Sequence, residues 1–320
     1  MVDILFNQMK KFIPYFFGLL LFLTGIVIAL YWKNDIDLSE LKKKYTYTSS
    51  RFIPIDGINL HYRITGKGEP VVLIHGTGAS LHTWEKWTEK LSESYHVISF
   101  DLPGFGLTGP DPEHNYQISR YTFILDSLMT KLKINQFHIA GNSLGGLVAW
   151  RYTTQFPQKI LTLNLIDAAG LSQPGKKPPF IFQLAKIPLL STLLQKVTPK
   201  SIIKNSMLDV YKNDPLVTEK LIDRYFELSL RDGNRTAFVK RMSQLNEKLN
   251  ISDLKKITAP VLIQWGKYDR WIPLAKGYEF KKLIPKAELK IYNSGHVPME
   301  ENPMETVEDY VIFLKKSKED

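Results

Sequence analysis

The stretch that decides the fold is GNSLG at residues 141–145, which matches the pattern G-x-S-x-G. The apolar run FHIA precedes it at 137–140, and LGGLVAW, whose apolar residues have helical spacing, follows at 144–150. In a sharp strand-to-helix turn, small residues beside the serine make room for a strained backbone, and the turn lifts the hydroxyl off the sheet. This context predicts Ser143 as an accessible nucleophile at the end of a strand.

Strand and helix patterns alternate on both sides of this turn. Short apolar or alternating runs typical of strands occur at Ile58–Ile64, Val71–Ile74, Tyr95–Phe100, Phe137–Ala140, Ile160–Ile166, Val261–Trp265 and Leu289–Tyr292. Helical spacing occurs at Leu81–Leu91, Ile118–Leu132, Leu144–Thr154 and near Pro303–Lys315. The short connections predict a parallel sheet covered by helices, with Ile58–Ile64 as an edge-type antiparallel strand.

The alternation stops in the middle of the chain. Residues 170–250 contain no clear strand, but they hold apolar helical stretches at 180–194 and 221–230 that are broken by several prolines. We therefore expect an α/β core at residues 51–169 and 251–320, with a helical domain at 170–250 inserted into it.

A serine hydroxyl needs a base, and the base needs a carboxylate that orients it. His296 lies in the predicted loop NSGHVP (293–298) after the last strand, and Asp269 lies in GKYDR (266–270) after the strand before it. Loops at the carboxyl ends of parallel strands meet at one edge of a sheet. A G-x-S-x-G turn requires the order serine, acid, histidine. The sequence therefore predicts Ser143, Asp269 and His296 as a catalytic triad.

Two backbone N–H groups are needed to stabilise the oxyanion that forms when a serine attacks a carbonyl. One is that of Leu144, directly after the nucleophile. The other lies in HGTG at 75–78, where glycines let the backbone approach a substrate, and we choose Thr77. His75 in the same loop is interpreted as structural.

Five stretches resemble the α/β-hydrolase superfamily, in its branch of capped serine esterases and lipases. They are HGTG (75–78), DLPGFG (101–106), GNSLGG (141–146), GKYDRWIP (266–273) and GHVPMEENP (295–303). The resemblance covers the chain from about Arg51 to the C-terminus and implies a mostly parallel eight-stranded sheet with a helical cap between strands six and seven. It implies the same triad and oxyanion donors, and it makes residues 170–250 the cap that lines the acyl pocket.

Three further aspartates have other interpretations. Some members of the family place the acid after strand six, where this chain has Asp167. We interpret Asp167 instead as a strand-end cap, because the Asp269 loop matches the family better. Asp101 and Asp126 are interpreted as structural residues that hydrogen-bond to turn and helix backbone.

The identity of the nucleophile reduces the number of reaction types that this chain could catalyse. Serine at this position argues against dehalogenases and epoxide hydrolases, which in this family use aspartate there. The meta-cleavage C–C hydrolases share a GNS-x-GG elbow, but they usually carry tryptophan after the catalytic histidine, where this chain has Val297. We expect a carboxylic ester hydrolase. C–C hydrolase chemistry, perhydrolase chemistry and a non-catalytic binding domain stay open as alternatives.

An N-terminal segment bears on the location of the protein. Residues 12–32 read FIPYFFGLLLFLTGIVIALYW, 21 residues without a charge. Such a helix is roughly 31 Å long, which matches a hydrocarbon core of about 30 Å. The run is longer than a signal-peptide core, and no A-x-A-like cleavage site follows it. We expect a single-pass anchor, in a bacterial inner membrane, with a tail at 1–11 and a juxtamembrane linker at 33–50; the side of the membrane stays open.

The amount and location of the positive charge indicate which classes of partner the protein can bind. It has 42 Lys and Arg against 32 Asp and Glu, a net charge of +10. The cap at 170–250 holds ten Lys and four Arg against seven acids, so +7 of the surplus lies there. Two interpretations stay open: a cap with an apolar underside and a basic outer face, and a cap that contacts anionic lipid and admits lipid-like esters. We expect no nucleic-acid partner.

No cofactor and no metal is expected. The chain has no cysteine, which excludes disulfides and thiolate metal sites. GFGLTG at 104–109 has the spacing of a dinucleotide-binding loop, with Asp126 at the distance of a ribose-binding acid. Pro110 and Pro112 follow, however, where that motif needs a helix.

Overall fold

The computed structural model describes residues 2–173, 175, 180–244 and 249–319. Eight strands form one sheet. They are β1 Ser50–Ile55, β2 Ile58–Thr65, β3 Glu69–Ile74, β4 Tyr95–Phe100, β5 Phe137–Asn142, β6 Ile160–Ile166, β7 Val261–Gly266 and β8 Glu288–Tyr292. The α-helices are α1 Val2–Tyr31, α2 Leu38–Tyr45, α3 Glu85–Leu91, α4 Ile118–Lys131, α5 Leu144–Gln155, α6 Phe180–Leu184, α7 Pro188–Leu194, α8 Lys200–Val210, α9 Glu219–Ser229, α10 Asn234–Ser243, α11 Ala275–Leu283, α12 Pro298–Glu301 and α13 Pro303–Lys316.

The strand order is β1-β2-β4-β3-β5-β6-β7-β8. β2 pairs antiparallel with both β1 and β4, and every later pair is parallel. This confirms the mostly parallel eight-stranded sheet. The carboxyl ends of β3, β5, β6, β7 and β8 lie at one edge of the sheet, and the loops that follow them carry the predicted site residues.

The sequence analysis missed β1, which is the edge strand, so β2 is second in the sheet and the prediction that it is an edge strand is wrong. β1 contains Pro54, which has no N–H to donate and is tolerated at an edge. The two strands are joined by Asp56-Gly57, whose φ angles are 46° and 79°. Asp-Gly favours such a two-residue hairpin turn, so the signal for β1 was present in its turn rather than in its strand.

The sheet is buried on both faces. In β3, Val72 and Ile74 belong to the apolar core that includes α4 and α5, whereas Val71 and Leu73 belong to the core that includes α3 and α13. All four side chains are fully buried. Burying an aliphatic side chain of this size contributes about 1.5–3 kcal/mol. The two cores together fix the positions of the strand ends at the site.

The cap comprises α6 to α10, which lie between β6 and β7 in the chain. Its predicted span of 170–250 includes residues 174, 176–179 and 245–248, which lie outside the described residues. Met207 of α8 and Ile222 of α9 are buried in the same core as α3 and α13. The cap is therefore packed on the α/β core.

The predicted anchor, residues 12–32, lies in α1 except for Trp32, which follows the helix. The apolar part of α1, Ile13–Tyr31, has 19 residues, a mean hydropathy of 2.4 and none of its length buried in the protein. The helix begins at Val2, so residues 2–11, predicted as a tail, continue the same helix. A helix of this length and composition is long enough to cross a bilayer.

Residues 33–50, predicted as a linker, contain α2 and are packed on the protein. The Asp37 side chain caps this helix by accepting a hydrogen bond from the Ser39 N–H at 2.7 Å. Leu41 and Tyr45 are buried, in one cluster with Leu107 and Leu228. The three lysines in the last turn of α2 gave this stretch its linker-like composition, although its apolar residues have helical spacing.

Candidate active site

Ser143 lies at the turn from β5 into α5, with φ 54° and ψ −113°. A serine in this region is strained by about 1–3 kcal/mol, which the surrounding structure must offset. The Ser143 N–H donates to Ile166 O at 3.0 Å, and the Leu147 N–H donates to Ser143 O at 3.1 Å. A Cβ at Gly141 would overlap the backbone of α5, and one at Gly145 would overlap the end of β3. The turn therefore requires both glycines.

His296, after β8, is joined to Asp269, after β7: His296 Nδ1 lies 2.6 Å from Asp269 Oδ2. Asp269 Oδ1 accepts hydrogen bonds from the N–H groups of Trp271 at 2.7 Å and Ile272 at 2.8 Å, so both oxygens are held. Because Nδ1 faces a carboxylate, the lone pair of the neutral ring is assigned to Nε2. Within the described part of the chain Nε2 has no hydrogen-bond partner, and His296 lines the same cavity as Ser143.

The two predicted oxyanion donors are next to Ser143. Thr77 follows β3 and lines the same cavity as Ser143. Gly76 allows this close approach, because a Cβ there would lie 3.2 Å from Ser143 Cβ and 2.8 Å from Asn142 Oδ1. Leu144 is the first residue of α5, and the first N–H groups of a helix have no acceptor within it. Both residues thus lie close to Ser143, and their role as oxyanion donors stays a prediction.

The backbone around His296 is held by residues that the sequence analysis did not select. The His296 N–H donates to Val210 O of α8 at 2.7 Å, and Asn142 Nδ2 donates to His296 O at 3.0 Å. The Gly295 N–H donates to Glu301 Oε1 at 2.6 Å. Asn142 and Glu301 lie inside the motifs GNSLGG and GHVPMEENP, and that membership was the signal that could have identified them.

Glu301 joins the histidine loop to the cap. Its Oε2 accepts hydrogen bonds from the N–H groups of Lys212 at 3.0 Å and Asn213 at 3.1 Å, directly after α8. Burial raises the pKa of Glu301 above its ordinary value, although three backbone N–H groups oppose the shift. One carboxylate therefore connects three backbone N–H groups from two different segments.

Asp167, weighed as an alternative acid, lies beside the triad. It follows β6, is fully buried, and accepts a hydrogen bond at Oδ1 from the Gly266 N–H at 3.0 Å. One polar atom each of Asp167, Asp269 and His296 lies within 4.8 Å of the others. We interpret this group as hydrogen-bonded rather than as a metal site, because His296 Nδ1 and Asp269 Oδ2 bond to each other. Burial and then the charge of Asp269 raise the pKa of Asp167 well above its ordinary value.

His75 holds two loops together. It is fully buried; its Nδ1 lies 2.7 Å from Gly76 O, and its Nε2 accepts a hydrogen bond from the Leu102 N–H at 2.9 Å. Burial lowers the pKa of His75, so the ring stays neutral. These contacts agree with its interpretation as a structural residue.

Asp101 accepts hydrogen bonds from the backbone N–H groups of Leu81 at 2.7 Å and Leu107 at 2.8 Å. Burial by itself would raise the pKa of Asp101, but its charge interaction and hydrogen bond with His61 hold it at about 2. Asp126 instead bonds to two side chains, Tyr152 Oη at 2.7 Å and Lys159 Nζ at 2.5 Å. Its expected bond to helix backbone is replaced by these contacts.

The cavity in front of Ser143 measures about 180 Å³. Most of its wall is apolar, and much of that wall comes from the cap: Phe182, Leu194, Ile202 and Phe238, with Trp271 from the core. Tyr211 and Tyr225 also line the cavity, and their hydroxyl groups donate to Glu300 at 2.8 Å and 3.0 Å. The cavity therefore suits a substrate with an apolar part.

The alpha/beta hydrolase fold family model matches residues 69–303, so the chain belongs to the alpha/beta hydrolase family. It is 31% identical over 266 residues to Lipase 3 of Moraxella sp. (strain TA144), covering 78% of this chain and 79% of that one. It is also 28% identical over 260 residues to a 2-hydroxy-6-oxononadienedioate/2-hydroxy-6-oxononatrienedioate hydrolase of Cupriavidus pinatubonensis, covering 78% and 89%.

Among solved structures, a membrane phospholipase A described as a novel bacterial virulence factor superposes with a TM-score of 0.72 at 26% identity. The match covers 97% of this chain and 99% of that one, and so includes the N-terminal helix region. The chain is therefore a hydrolase of this fold, and its relatives act on more than one type of substrate.

Proposed function

We propose that this chain cleaves carboxylic esters through a covalent acyl-enzyme, with Ser143 as nucleophile, His296 as base and Asp269 as the acid that orients it. The observation that carries the proposal is the 2.6 Å contact between His296 and Asp269, which leaves Nε2 available in the cavity that Ser143 lines. A serine hydroxyl is a weak nucleophile until an oriented base accepts its proton. The pair supplies such a base.

The steps follow from this placement. Ser143 Oγ attacks the acyl carbon while His296 Nε2 takes the hydroxyl proton, and the N–H groups of Thr77 and Leu144 stabilise the oxyanion. The tetrahedral intermediate then expels the alcohol, which takes the proton from His296. Water deacylates the enzyme by the same route, with His296 again acting first as base and then as acid.

Two observations support an ester over the alternatives. The apolar cavity suits the acyl group of an ester. The polypeptide is also similar to a protein named as a lipase. Similarity to a 2-hydroxy-6-oxononadienedioate hydrolase supports C–C cleavage as the second candidate, at the same serine. Perhydrolysis by the same acyl-enzyme stays an alternative. A non-catalytic binding domain would have no need of the joined His296 and Asp269.

A substrate series tests the type of reaction. p-Nitrophenyl esters from short to long acyl chains would be compared with 2-hydroxy-6-oxononadienedioate, using the unmodified protein and Ser143→Ala. We expect turnover of the esters, rising with acyl length, and none in Ser143→Ala. Turnover of the dienedioate alone would replace the ester proposal by C–C cleavage. No turnover of either would support the binding-domain alternative.

We further propose that α1 is a single-pass membrane anchor and that the cap lies at the membrane surface. Directly after α1, the chain bonds to the segment between α7 and α8: Thr198 N–H donates to Tyr31 O at 3.2 Å, and Lys33 N–H donates to Lys196 O at 2.8 Å. Thr198 of that segment and Leu194, the last residue of α7, line the cavity. The cavity wall is thus attached to the point where an anchor would leave the bilayer.

Ion pairs strengthen this attachment. Asp35 pairs with Arg235 of α10 at 2.6 Å and with Lys196 at 2.8 Å. Arg235 Nη2 also donates to Lys33 O at 2.8 Å, and its side chain lines the cavity. Burial opposes ionisation of Asp35, but hydrogen bonds from these two cations lower its pKa. The contacts support delivery of a lipid-like ester from the membrane to the cavity.

Part of the positive charge of the cap is neutralised within the protein. Lys200 pairs with Glu219 and Asp223, and Lys196 pairs with Asp35. The proposed contact with anionic lipid therefore depends on other cations, of which Lys186 and Lys240 are exposed. Surface charges of this kind attract an anionic leaflet by about 1 kcal/mol each.

Vesicle binding tests this contact. A variant without residues 1–30 would be mixed with phosphatidylcholine vesicles, with and without phosphatidylglycerol. We expect stronger binding to the anionic vesicles and a loss of that difference in Lys186→Glu/Lys240→Glu. The matched control is Lys281→Glu/Lys282→Glu, two exposed lysines of α11. Equal binding to both kinds of vesicle would refute the contact with anionic lipid.

A further inference from the structure

Asp167 is a buried carboxyl group that the proposed mechanism does not use. It follows β6, at a backbone φ of 43°, and its own N–H donates to Gln264 O of β7 at 3.1 Å. Its Oδ1 accepts a hydrogen bond from the Gly266 N–H at 3.0 Å, whereas its Oδ2 has no partner among the described residues. A buried polar atom without a partner carries a free-energy penalty, so this oxygen requires an explanation.

Two carboxyl groups and one imidazole face Asp167. They are Asp269 from the loop after β7, His296 from the loop after β8, and Glu301 from α12. Two carboxylates that share a buried site do not both ionise, because like charges repel strongly in a medium of low polarity. Asp269 bonds His296 Nδ1 and two backbone N–H groups, whereas Asp167 accepts a bond from one backbone N–H group.

Resting on the proposed function, we propose that Asp167 is a positioning residue that holds a proton and donates it in a hydrogen bond to the Asp269 carboxylate. The pair then carries one negative charge. The donated hydrogen explains the otherwise unpartnered Asp167 Oδ2, and the backbone bond to Oδ1 fixes the direction of the carboxyl group.

This arrangement has a consequence for His296. A neutral Asp167 adds no second negative charge near the imidazole of His296. The hydrogen bond also holds Asp269 against rotation away from His296 Nδ1. Burial and the charge of Asp269 raise the pKa of Asp167 in agreement with a protonated group.

Two variants separate a neutral Asp167 from an ionised one. Asp167→Asn keeps the shape, the acceptor for the Gly266 N–H and a donor toward Asp269, and it has no charge. We expect its kcat/KM to stay within about threefold of the unmodified protein, with the acid limb of the pH profile unmoved. Asp167→Ala removes the donor; we expect a loss of about tenfold or more, as for a hydrogen bond to a charged group, and an acid limb at higher pH.

The titration of His296 also distinguishes a neutral Asp167 from an ionised one, and it does not require a turnover assay. It would be followed by NMR of histidine-labelled Ser143→Ala protein, with the signal among the seven histidines assigned through His296→Asn. The midpoint is expected to be the same with Asp and Asn at position 167. If Asp167 is ionised, Asp167→Asn removes a charge close to the ring and lowers the midpoint by about one to three pH units. That result would overturn the proposal.

Infrared spectroscopy tests the protonation of Asp167 in the unmodified protein, so this test does not require a variant to fold. With ¹³C-aspartate, a protonated carboxyl band is expected at pH 7, and its absence would overturn the proposal. Failure of every ester and dienedioate would contradict the proposed function alone, since the NMR and infrared results need no substrate.

Discussion

His296 Nδ1 and Asp269 Oδ2 are 2.6 Å apart, and their side chains are only 4% and 0% exposed. This contact favours the tautomer with the lone pair on Nε2, the atom that accepts the proton of Ser143 in the proposed mechanism. Asp269→Asn would place an amide there and favour the wrong tautomer. We expect kcat toward an ester substrate to fall by about 10³-fold or more.

The control for this variant is Asp309→Asn, which changes an acid that bonds Lys290 and Tyr292 near the surface. It is expected to retain ester turnover. Comparable activity of Asp269→Asn and the unmodified protein, at unchanged Tm, would contradict the role of Asp269.

The position of His296 depends on Glu301, which accepts the Gly295 N–H at 2.6 Å and two N–H groups from the cap side. Glu301→Ala removes all three acceptor contacts. We expect kcat to fall by about tenfold or more, because small displacements of a base weaken proton transfer. The exposed Glu308→Ala on α13 serves as a matched control. Equal kcat values for the two variants would show that Glu301 does not position the base.

The attachment of the cap to the end of α1 depends on Asp35. Asp35→Ala leaves Arg235, whose side chain is 5% exposed, without its carboxylate partner. We expect the cavity wall to loosen, with a selective loss of activity toward long-chain esters compared with short-chain ones, and a destabilisation of about 1 kcal/mol. Acyl-chain profiles and thermal unfolding measure the two effects.

Asp209→Asn is a suitable control for Asp35→Ala because Asp209 is an exposed acid on α8. It is expected to leave the acyl-chain profile unchanged. A uniform loss over all chain lengths in Asp35→Ala would indicate a general effect on folding, contrary to this prediction.

Asp101 makes the stability of the fold sensitive to acid. Its pKa is about 2 in the folded protein, against an ordinary value of 3.8. The unfolded chain therefore takes up this proton first, and stability is lost as the pH falls from about 4 to 2, by about 2 kcal/mol. Urea unfolding at several pH values would show a shallower acid dependence for Asp101→Asn. Parallel curves for the two proteins would contradict this assignment.

The effect of Asp167 on the pH dependence of stability is opposite to that of Asp101. Because its pKa is raised on folding, the folded protein holds a proton that the unfolded chain releases, and stability is lost as the pH rises above the ordinary value of 3.8. Asp167→Asn cannot release a proton there. Its stability relative to the unmodified protein is therefore expected to increase from pH 4 to pH 8 in urea unfolding, and a constant difference would contradict the raised pKa.

The sheet and the placement of the three predicted site residues could be predicted because each signal is local. Val71–Ile74, buried on both faces, forms a wholly apolar run, and Ser143 lies in a turn that only small neighbours allow. Asp269 and His296 follow the last two strands directly. Their convergence needs nothing beyond the parallel order of the sheet.

The features that could not be predicted depend on contacts between segments that are distant in the sequence. The edge strand β1 has no apolar run because Pro54 and Arg51 interrupt it. The bond from the His296 N–H to Val210 O depends on how the cap packs. The approach of Asp167 to Asp269 depends on the register of β6 and β7, in which Ile166 pairs with Gln264. None of these relations leaves a pattern in one short stretch.

The most direct test of the account is covalent labelling with a fluorophosphonate, read by intact mass and peptide mapping. One adduct per chain is expected, on Ser143, with no labelling of Ser143→Ala and strongly slowed labelling of His296→Ala. An adduct on another residue, or the absence of any adduct from folded protein, would contradict Ser143 as an activated nucleophile.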